Sequence, residues 1–131
     1  MTVPKSKRRE TKMEFVHNAR VIEDFCIRHW HEKSSYVLRD CIYISANVYD
    51  NATRANSIYP ENQQELKERI LCLKKSLSSI YALKVQISLA YRHQLISTSV
   101  VTELNEYIEK QKRLIKGVIK KDKERYKGLP L

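Results

Sequence analysis

Apolar residues recur at intervals of three and four along most of the chain, which is the period of an amphipathic helix. Short polar or proline-containing breaks separate four such stretches. They predict a first helix from about Ser6 to His31, followed by helices over about residues 36–57, 61–93 and 100–126. Between residues 5 and 116 there is no glycine and a single proline, Pro60. Antiparallel sheets need tight turns that usually contain glycine, so the pattern predicts an all-α protein.

Short connections between long helices favour antiparallel neighbours, so we expect an up-down-up-down four-helix bundle. The length of 131 residues fits a single domain covering 1–131, with fraying expected at 1–8 and 124–131.

Residues typical of helix ends occur at the predicted connections between the helices. Tyr59-Pro60 ends the second helix and places Pro60 in the first turn of the third. Asn62 and Glu65 have the spacing of a capping box, and Thr98 or Ser99 is the expected N-cap of the fourth helix.

The second half of the third helix is apolar around almost its whole circumference. Such a helix must be covered on more than one side. One explanation is a subunit interface, for which the candidate residues are Ile80, Leu83, Ile87 and Tyr91. The other explanation, a wide core-facing surface in a monomeric bundle, stays open at this stage.

The charge distribution adds a candidate function. The chain has 25 Lys and Arg against 15 Asp and Glu, a net charge of +10, and the excess is concentrated in residues 5–12 and 110–127. In an up-down-up-down bundle the first helix begins, and the fourth ends, at the same end of the molecule. The two clusters therefore form one basic pole, for which a polyanion is the first partner to consider. The alternative is a charged surface that only keeps the protein soluble.

Nucleic acid is the polyanion that we expect, RNA or DNA, bound through phosphate contacts. The candidate contact residues are Lys5, Lys7, Arg8, Arg9, Arg54, Lys116, Lys120, Lys121, Lys123 and Arg125. Arg54 is either a clamp for a phosphate or carboxylate, or a helix-terminal group that satisfies backbone carbonyls. Among the tyrosines, Tyr126 alone is surrounded by several basic residues, Lys123, Arg125 and Lys127. It is either a base-stacking platform or, as for most of the tyrosines, a packing residue.

The sequence gives little indication of disulfide bonds, a metal site or a catalytic site. Cys26, Cys41 and Cys72 form no C-x-x-C pair, which argues against a disulfide framework or zinc site and for a reducing compartment. Cys26 and His29 share a helix face but His31 does not, so no metal site is expected.

Nucleotide-loop, metalloprotease and nucleophile-elbow motifs are absent, and no His follows an Arg by five or seven residues, a spacing typical of small helical ribonucleases. We expect no catalytic residues, cofactor or metal, and no membrane span or signal peptide. A cytoplasmic protein is predicted.

Three segments carry a family resemblance: the basic start Pro4–Arg8, the segment Arg54–Pro60 and the ending Leu114–Tyr126. Together they resemble the Avd-like four-helix-bundle proteins, the accessory variability determinants of bacterial and phage diversity-generating retroelements, and this resemblance implies a bacterial or phage-encoded protein. The resemblance implies a homopentamer without enzymatic activity that associates with the element's reverse transcriptase and with nucleic acid, and that supports mutagenic copying of template RNA. Related bundles encoded in ribosomal-RNA intervening sequences imply an alternative, a structural protein-interaction module without a direct nucleic-acid role. The strong positive charge favours the retroelement branch.

Overall fold

Four long helices with short connections make up the computed structural model, which describes the backbone from residue 5 to residue 131 and the side chains from residue 14 onward. The helices are α1 Lys5–Trp30, α2 Tyr36–Ser57, α3 Gln63–Arg92 and α4 Thr98–Arg125. No strand occurs in the described part of the chain. The all-α four-helix bundle predicted from the apolar spacing is confirmed.

Each helix packs against two others, in the pairs α1–α2, α2–α3, α3–α4 and α1–α4. Side-chain contacts show the antiparallel direction. The early residue Arg69 of α3 meets the late residue Asp122 of α4, whereas Lys84 meets Glu109. On the other side of the bundle, Glu14 of α1 lies near Lys110 of α4. The end of α2, the start of α3 and the end of α4 are therefore at one end of the bundle, the end toward which α1 begins.

The core is one apolar cluster to which all four helices contribute. Buried positions recur at three- and four-residue intervals on every helix, as the sequence pattern predicts. The members with 1% exposure or less and the largest side chains are Phe15, Ile22, Phe25, Leu73, Ile80, Leu83, Ile87, Leu104, Ile108 and Ile115. Ile80, Leu83 and Ile87, which are candidates for a subunit interface on sequence grounds, are thus enclosed by the helices of their own chain.

Buried polar side chains link neighbouring helices at fixed positions. Between α1 and α4, the Asn18 amide donates to the Gln111 side-chain oxygen over 2.9 Å, and Gln111 in turn donates to the Phe15 carbonyl over 2.8 Å. Between α2 and α3, the Ser76 hydroxyl donates to the Val48 carbonyl over 2.8 Å. A shift of one helix along its neighbour would leave these buried groups without partners, so they help to fix the register.

A buried arginine connects three helices. Arg69 of α3 has no exposed surface, and its Nε donates to Asp122 Oδ2 of α4 over 2.6 Å. Its Nη1 donates to the carbonyl of Ala55 over 2.6 Å and to that of Ile58 over 3.2 Å, both at the end of α2. The last carbonyls of a helix have no partner within the helix. Arg69 therefore caps α2 while it pairs with α4.

The connections follow the predicted signals in part. Asn62 is the N-cap of α3, and its side chain accepts a hydrogen bond from the Glu65 amide over 2.9 Å, as its spacing predicts. Pro60 is buried in the connection, three residues before the first residue of α3, rather than in its first turn. The N-cap of α4 is Ser97, not Thr98 or Ser99, because it is the Ser97 hydroxyl that accepts from the Val100 amide.

The residues after α4 fold back onto the start of α3. Gln63 donates its side-chain amide to the carbonyls of Tyr126 and Leu129, each over 3.0 Å. The Gln63 backbone N–H donates to the Pro130 carbonyl over 2.8 Å. These contacts hold the segment 126–130, where fraying is expected from the sequence, against α3.

The buried pair gives a prediction for stability. Replacing Asp122 by Ala leaves the Arg69 charge buried without its counter-ion, so we expect the free energy of unfolding to fall by about 3–5 kcal/mol. Urea unfolding followed by circular dichroism measures the change. Asp50→Ala is the matched control, because it removes an exposed ion pair with Arg54 and should cost less than about 1 kcal/mol. Equal losses in the two variants would contradict a special role for the buried pair.

Candidate nucleic-acid interface

The C-terminal half of α4 carries a row of exposed cations. Arg113, Lys116, Lys120 and Lys123 follow one another at intervals of three, four and three residues, which places them on one side of the helix. All four are exposed, and none forms an ion pair with an acidic side chain in the part of the chain whose side chains are described. The row continues to Lys127, whose ammonium lies 2.8 Å from Glu124.

Helix α3 adds two lysines beside this row. Lys67, Lys74 and Tyr81 are spaced by seven residues, or two helical turns, so they lie on one side of α3. The Tyr81 ring contacts Lys112 and Lys116 of α4, which shows that this side of α3 borders α4. We call the exposed cations on this surface, namely Lys67, Lys74, Arg113, Lys116, Lys120 and Lys123, the basic face.

The structure places the predicted contact residues in different environments. Lys116, Lys120 and Lys123 belong to the basic face. Lys121 is exposed and Arg125 is half-buried. Their four-residue separation puts these two on a second row of α4. The side chains of Lys5, Lys7, Arg8 and Arg9 lie outside the described residues.

Lys67, Lys74 and Arg113 were not among the residues that the sequence indicated. The two lysines belong to a part of the chain with balanced charge, and composition alone gives no reason to join them to the C-terminal cluster. Their seven-residue spacing, taken together with the contact between α3 and α4, is the signal that assigns them to the same surface.

Arg54 is not the residue that satisfies the carbonyls at the end of α2, and its role as a clamp for a phosphate stays a prediction. Its guanidinium is exposed and lies 3.2 Å from Asp50 Oδ2, one turn earlier on α2. Arg69, a residue that the sequence pattern did not single out, satisfies the carbonyls at the end of α2. Tyr126 is 2% exposed, which confirms the packing interpretation of this residue over base stacking.

A charged bridge on the molecular surface joins α3 to α4. The Glu109 carboxylate accepts a hydrogen bond from Lys84 Nζ over 2.7 Å and lies 3.1 Å from Lys112 Nζ. The hydrogen bonds from Lys84 and then Lys112 lower the pKa of Glu109 to about 2, and the same bond raises the pKa of Lys84. Glu109 therefore stays ionised at neutral pH and holds Lys112 next to Tyr81.

Of the predicted interface residues, Tyr91 alone is exposed. Ile80, Leu83 and Ile87 have 1% exposure or less, so a second subunit could contact α3 only through other positions. Beyond Lys74, toward the end of the helix, the exposed positions of α3 include an uncharged set, Ser78, Ala82 and Val85, of which Val85 is 71% exposed. Tyr91 hydrogen-bonds through its hydroxyl to the Thr98 hydroxyl over 2.9 Å.

Cys26 and Cys41 lie in the core, away from solvent. Burial raises the pKa of the Cys26 and Cys41 thiols to about 12, so both are protonated at neutral pH and poor nucleophiles. From residue 14 onward, no three His, Cys, Asp or Glu side chains converge as metal ligands. Of the helices in the described region, none has the length and apolar character that crossing a bilayer requires.

The Glu109 bridge has a measurable pH dependence. A carboxyl with a lowered pKa in the folded state stabilises the fold above its ordinary pKa near 4.5, and this contribution is lost as the pH falls toward 2. In a carboxyl-detected NMR titration we expect a Glu109 midpoint of about 2. Lys84→Gln should move the midpoint toward 4.5, because it removes the main hydrogen-bond donor. A midpoint near 4.5 in the unaltered protein would show that the bridge does not form.

Comparison of the chain with protein-family models, with curated proteins and with solved structures finds no match. The resemblance to the Avd-like proteins therefore stays a prediction that rests on the three segments quoted above. The assignment of a function depends on the basic face and its surroundings.

Proposed function

We propose that the protein is a non-enzymatic, basic accessory protein that binds nucleic acid through the basic face. We further propose that the protein acts in the cytoplasm with the reverse transcriptase of a diversity-generating retroelement and supports mutagenic copying of a template RNA. The unpaired cation row of α4 supports the nucleic-acid part. The reverse transcriptase and the retroelement come from the family resemblance.

The row matters because, among the described side chains, none of its charges is neutralised by an acidic partner. Arg113, Lys116, Lys120 and Lys123 span eleven residues, or about 15 Å of helix between the first and the last at a rise of 1.5 Å per residue. Neighbouring members are separated by roughly 5–6 Å between Cβ atoms. A continuous series of exposed cations at this spacing can contact successive phosphates of one strand. Lys67 and Lys74 widen the positive surface across the groove between α3 and α4.

Phosphate contacts of this kind position a nucleic acid without reading its sequence. An accessory protein for a polymerase benefits from such binding, since the template changes from one position to the next during copying. The proposal therefore includes strong salt dependence and weak sequence discrimination.

The second candidate is a structural protein-interaction bundle, as in the intervening-sequence branch. The uncharged outward set on α3, Ser78, Ala82 and Val85, favours it, because exposed apolar positions without charges suit a protein partner better than a phosphate. Within this set, Ser78 and Ala82 are where a homopentamer of the Avd-like kind would form its contacts, which leaves Val85 and Tyr81 accessible.

Charge reversal tests the first candidate. In the triple variant Lys116→Glu, Lys120→Glu, Lys123→Glu, we expect affinity for a labelled RNA or DNA to fall roughly 100-fold near 0.1 M salt, as three phosphate contacts are lost. Fluorescence anisotropy over a salt series measures both the affinity and its salt slope, which should decrease by about 2–3.

The control variant carries the same change in net charge at the opposite end of the bundle. Arg28→Glu, Lys33→Glu and Arg39→Glu alter three exposed cations near the connection between α1 and α2. If this variant loses as much affinity as the first, the basic face is not the binding surface. If the unaltered protein shows no salt-dependent binding at all, the nucleic-acid function itself is contradicted.

Assembly is tested separately. Light scattering of the unaltered protein should give a mass near five times the 15.5 kDa chain. Ala82→Glu places a charge on the outward side of α3 and should reduce that mass while nucleic-acid affinity per chain changes little. A mass of one chain for the unaltered protein would contradict the pentamer.

A further inference from the structure

Tyr81 of α3 is an exposed aromatic ring flanked by lysines from the neighbouring helix. The side chain is 42% exposed, and the ammonium groups of Lys112 and Lys116 lie 5.2 and 6.0 Å from its ring centroid. Glu109 holds Lys112 in place, while Lys116 has no acidic partner among the described side chains. One cation beside the ring is therefore fixed and the other can move.

The other exposed tyrosines lack this setting. Tyr36 and Tyr43 are 68% and 70% exposed on α2, and no cation lies over either ring among the residues that the structure describes. Tyr91 is exposed but uses its hydroxyl on Thr98. Tyr81 is thus distinguished by its position at the inner end of the basic face, where the cation row of α4 reaches the surface of α3.

The surface beside the ring has room for a planar group. Tyr81, Lys84, Val85, Ser88 and Arg92 line a shallow depression of about 360 Å³. Val85, one turn after Tyr81, is 71% exposed and adds an apolar floor. Lys84 at its edge is paired with Glu109, whereas Arg92 has no acidic partner among the described side chains. An aromatic ring and an aliphatic side chain next to an unpaired cation form the combination that binds unpaired bases by stacking and their phosphates by charge.

We propose that Tyr81 is a stacking platform for a base of single-stranded nucleic acid whose phosphates lie along Lys116 and Lys120. This inference rests on the proposed function and specifies its ligand as single-stranded. A base that stacks on Tyr81 takes the place of the Lys116 ammonium over the ring, and that ammonium moves to the adjoining phosphate. A duplex can use the cations alone, because its bases are paired and already stacked on one another.

Oligonucleotide binding tests the inference. The probes are a fluorescein-labelled 20-nucleotide oligo(dT), the corresponding oligo(rU), and a 20-base-pair DNA duplex, measured by fluorescence anisotropy at fixed salt. Tyr81→Ala should weaken binding of both single strands by roughly 5- to 100-fold, the usual range for loss of one stacked base. Duplex affinity should change less than about twofold, and the salt slope should stay constant, because no phosphate contact is removed.

Two variants separate stacking from a merely structural role. Tyr81→Phe keeps the ring and should retain single-strand affinity. Tyr43→Ala removes an equally accessible tyrosine from α2 and should have no effect. In a third variant, Tyr81→Trp, the new indole should be quenched when oligo(dT) binds, while the native Trp30, 3% exposed, contributes a constant signal.

The outcomes distinguish this inference from the function on which it rests. If the unaltered protein binds neither single strands nor duplex, both are overturned. If it binds them with the expected salt dependence but Tyr81→Ala leaves single-strand affinity unchanged, or lowers single-strand and duplex affinity equally, the stacking inference alone is overturned. Absence of quenching in Tyr81→Trp despite binding would overturn it as well.

Discussion

The buried guanidinium of Arg69 is the constraint on which the arrangement of three helices depends. It contributes a capping donor to the last carbonyls of α2, and it has its counter-ion, Asp122, on α4. A charge without exposure is costly unless it is paired and hydrogen-bonded, so the chain must bring both helices to Arg69 in one arrangement. The basic end of α4 is therefore held against α2 and α3 by a polar contact inside the bundle.

A second ion pair also connects α3 to α4. Lys84 and Glu109 join the same two helices on the surface, 15 residues after Arg69 on α3 and 13 residues before Asp122 on α4. The basic face and Tyr81 lie mostly between these two pairs. With α3 and α4 joined at both positions, the backbone of α4 keeps a constant position relative to Tyr81, which the proposed stacking and phosphate-binding surface requires.

The sequence predicts the helices well because their signals are local. Apolar spacing defines four helices whose ends lie within about two residues of those observed where the side chains are described, and the Asn62 cap follows from its spacing with Glu65. The buried position of Arg69 could not be predicted in the same way, since its partners lie 11 to 53 residues away along the chain. Arginine side chains are also mostly exposed in proteins, so the residue type predicts the opposite. The sequence does not distinguish Tyr81 from the other tyrosines, for a related reason. Its lysines are on another helix, whereas Tyr126, with lysines beside it in sequence, is buried.

The cations of α4 destabilise the isolated helix, and this cost bears on the proposed binding of a polyanion. Like charges one turn apart repel by a few tenths of a kcal/mol per pair, although the C-terminal end of the helix dipole offsets part of this. The buried contacts of Arg69 and Asp122, worth several kcal/mol when one partner is removed, allow the bundle to tolerate that repulsion. A bound strand of phosphates would remove it, because each contact neutralises one of the repelling charges. The unpaired row is thus an unfavourable feature of the isolated bundle that becomes favourable once a polyanion is bound.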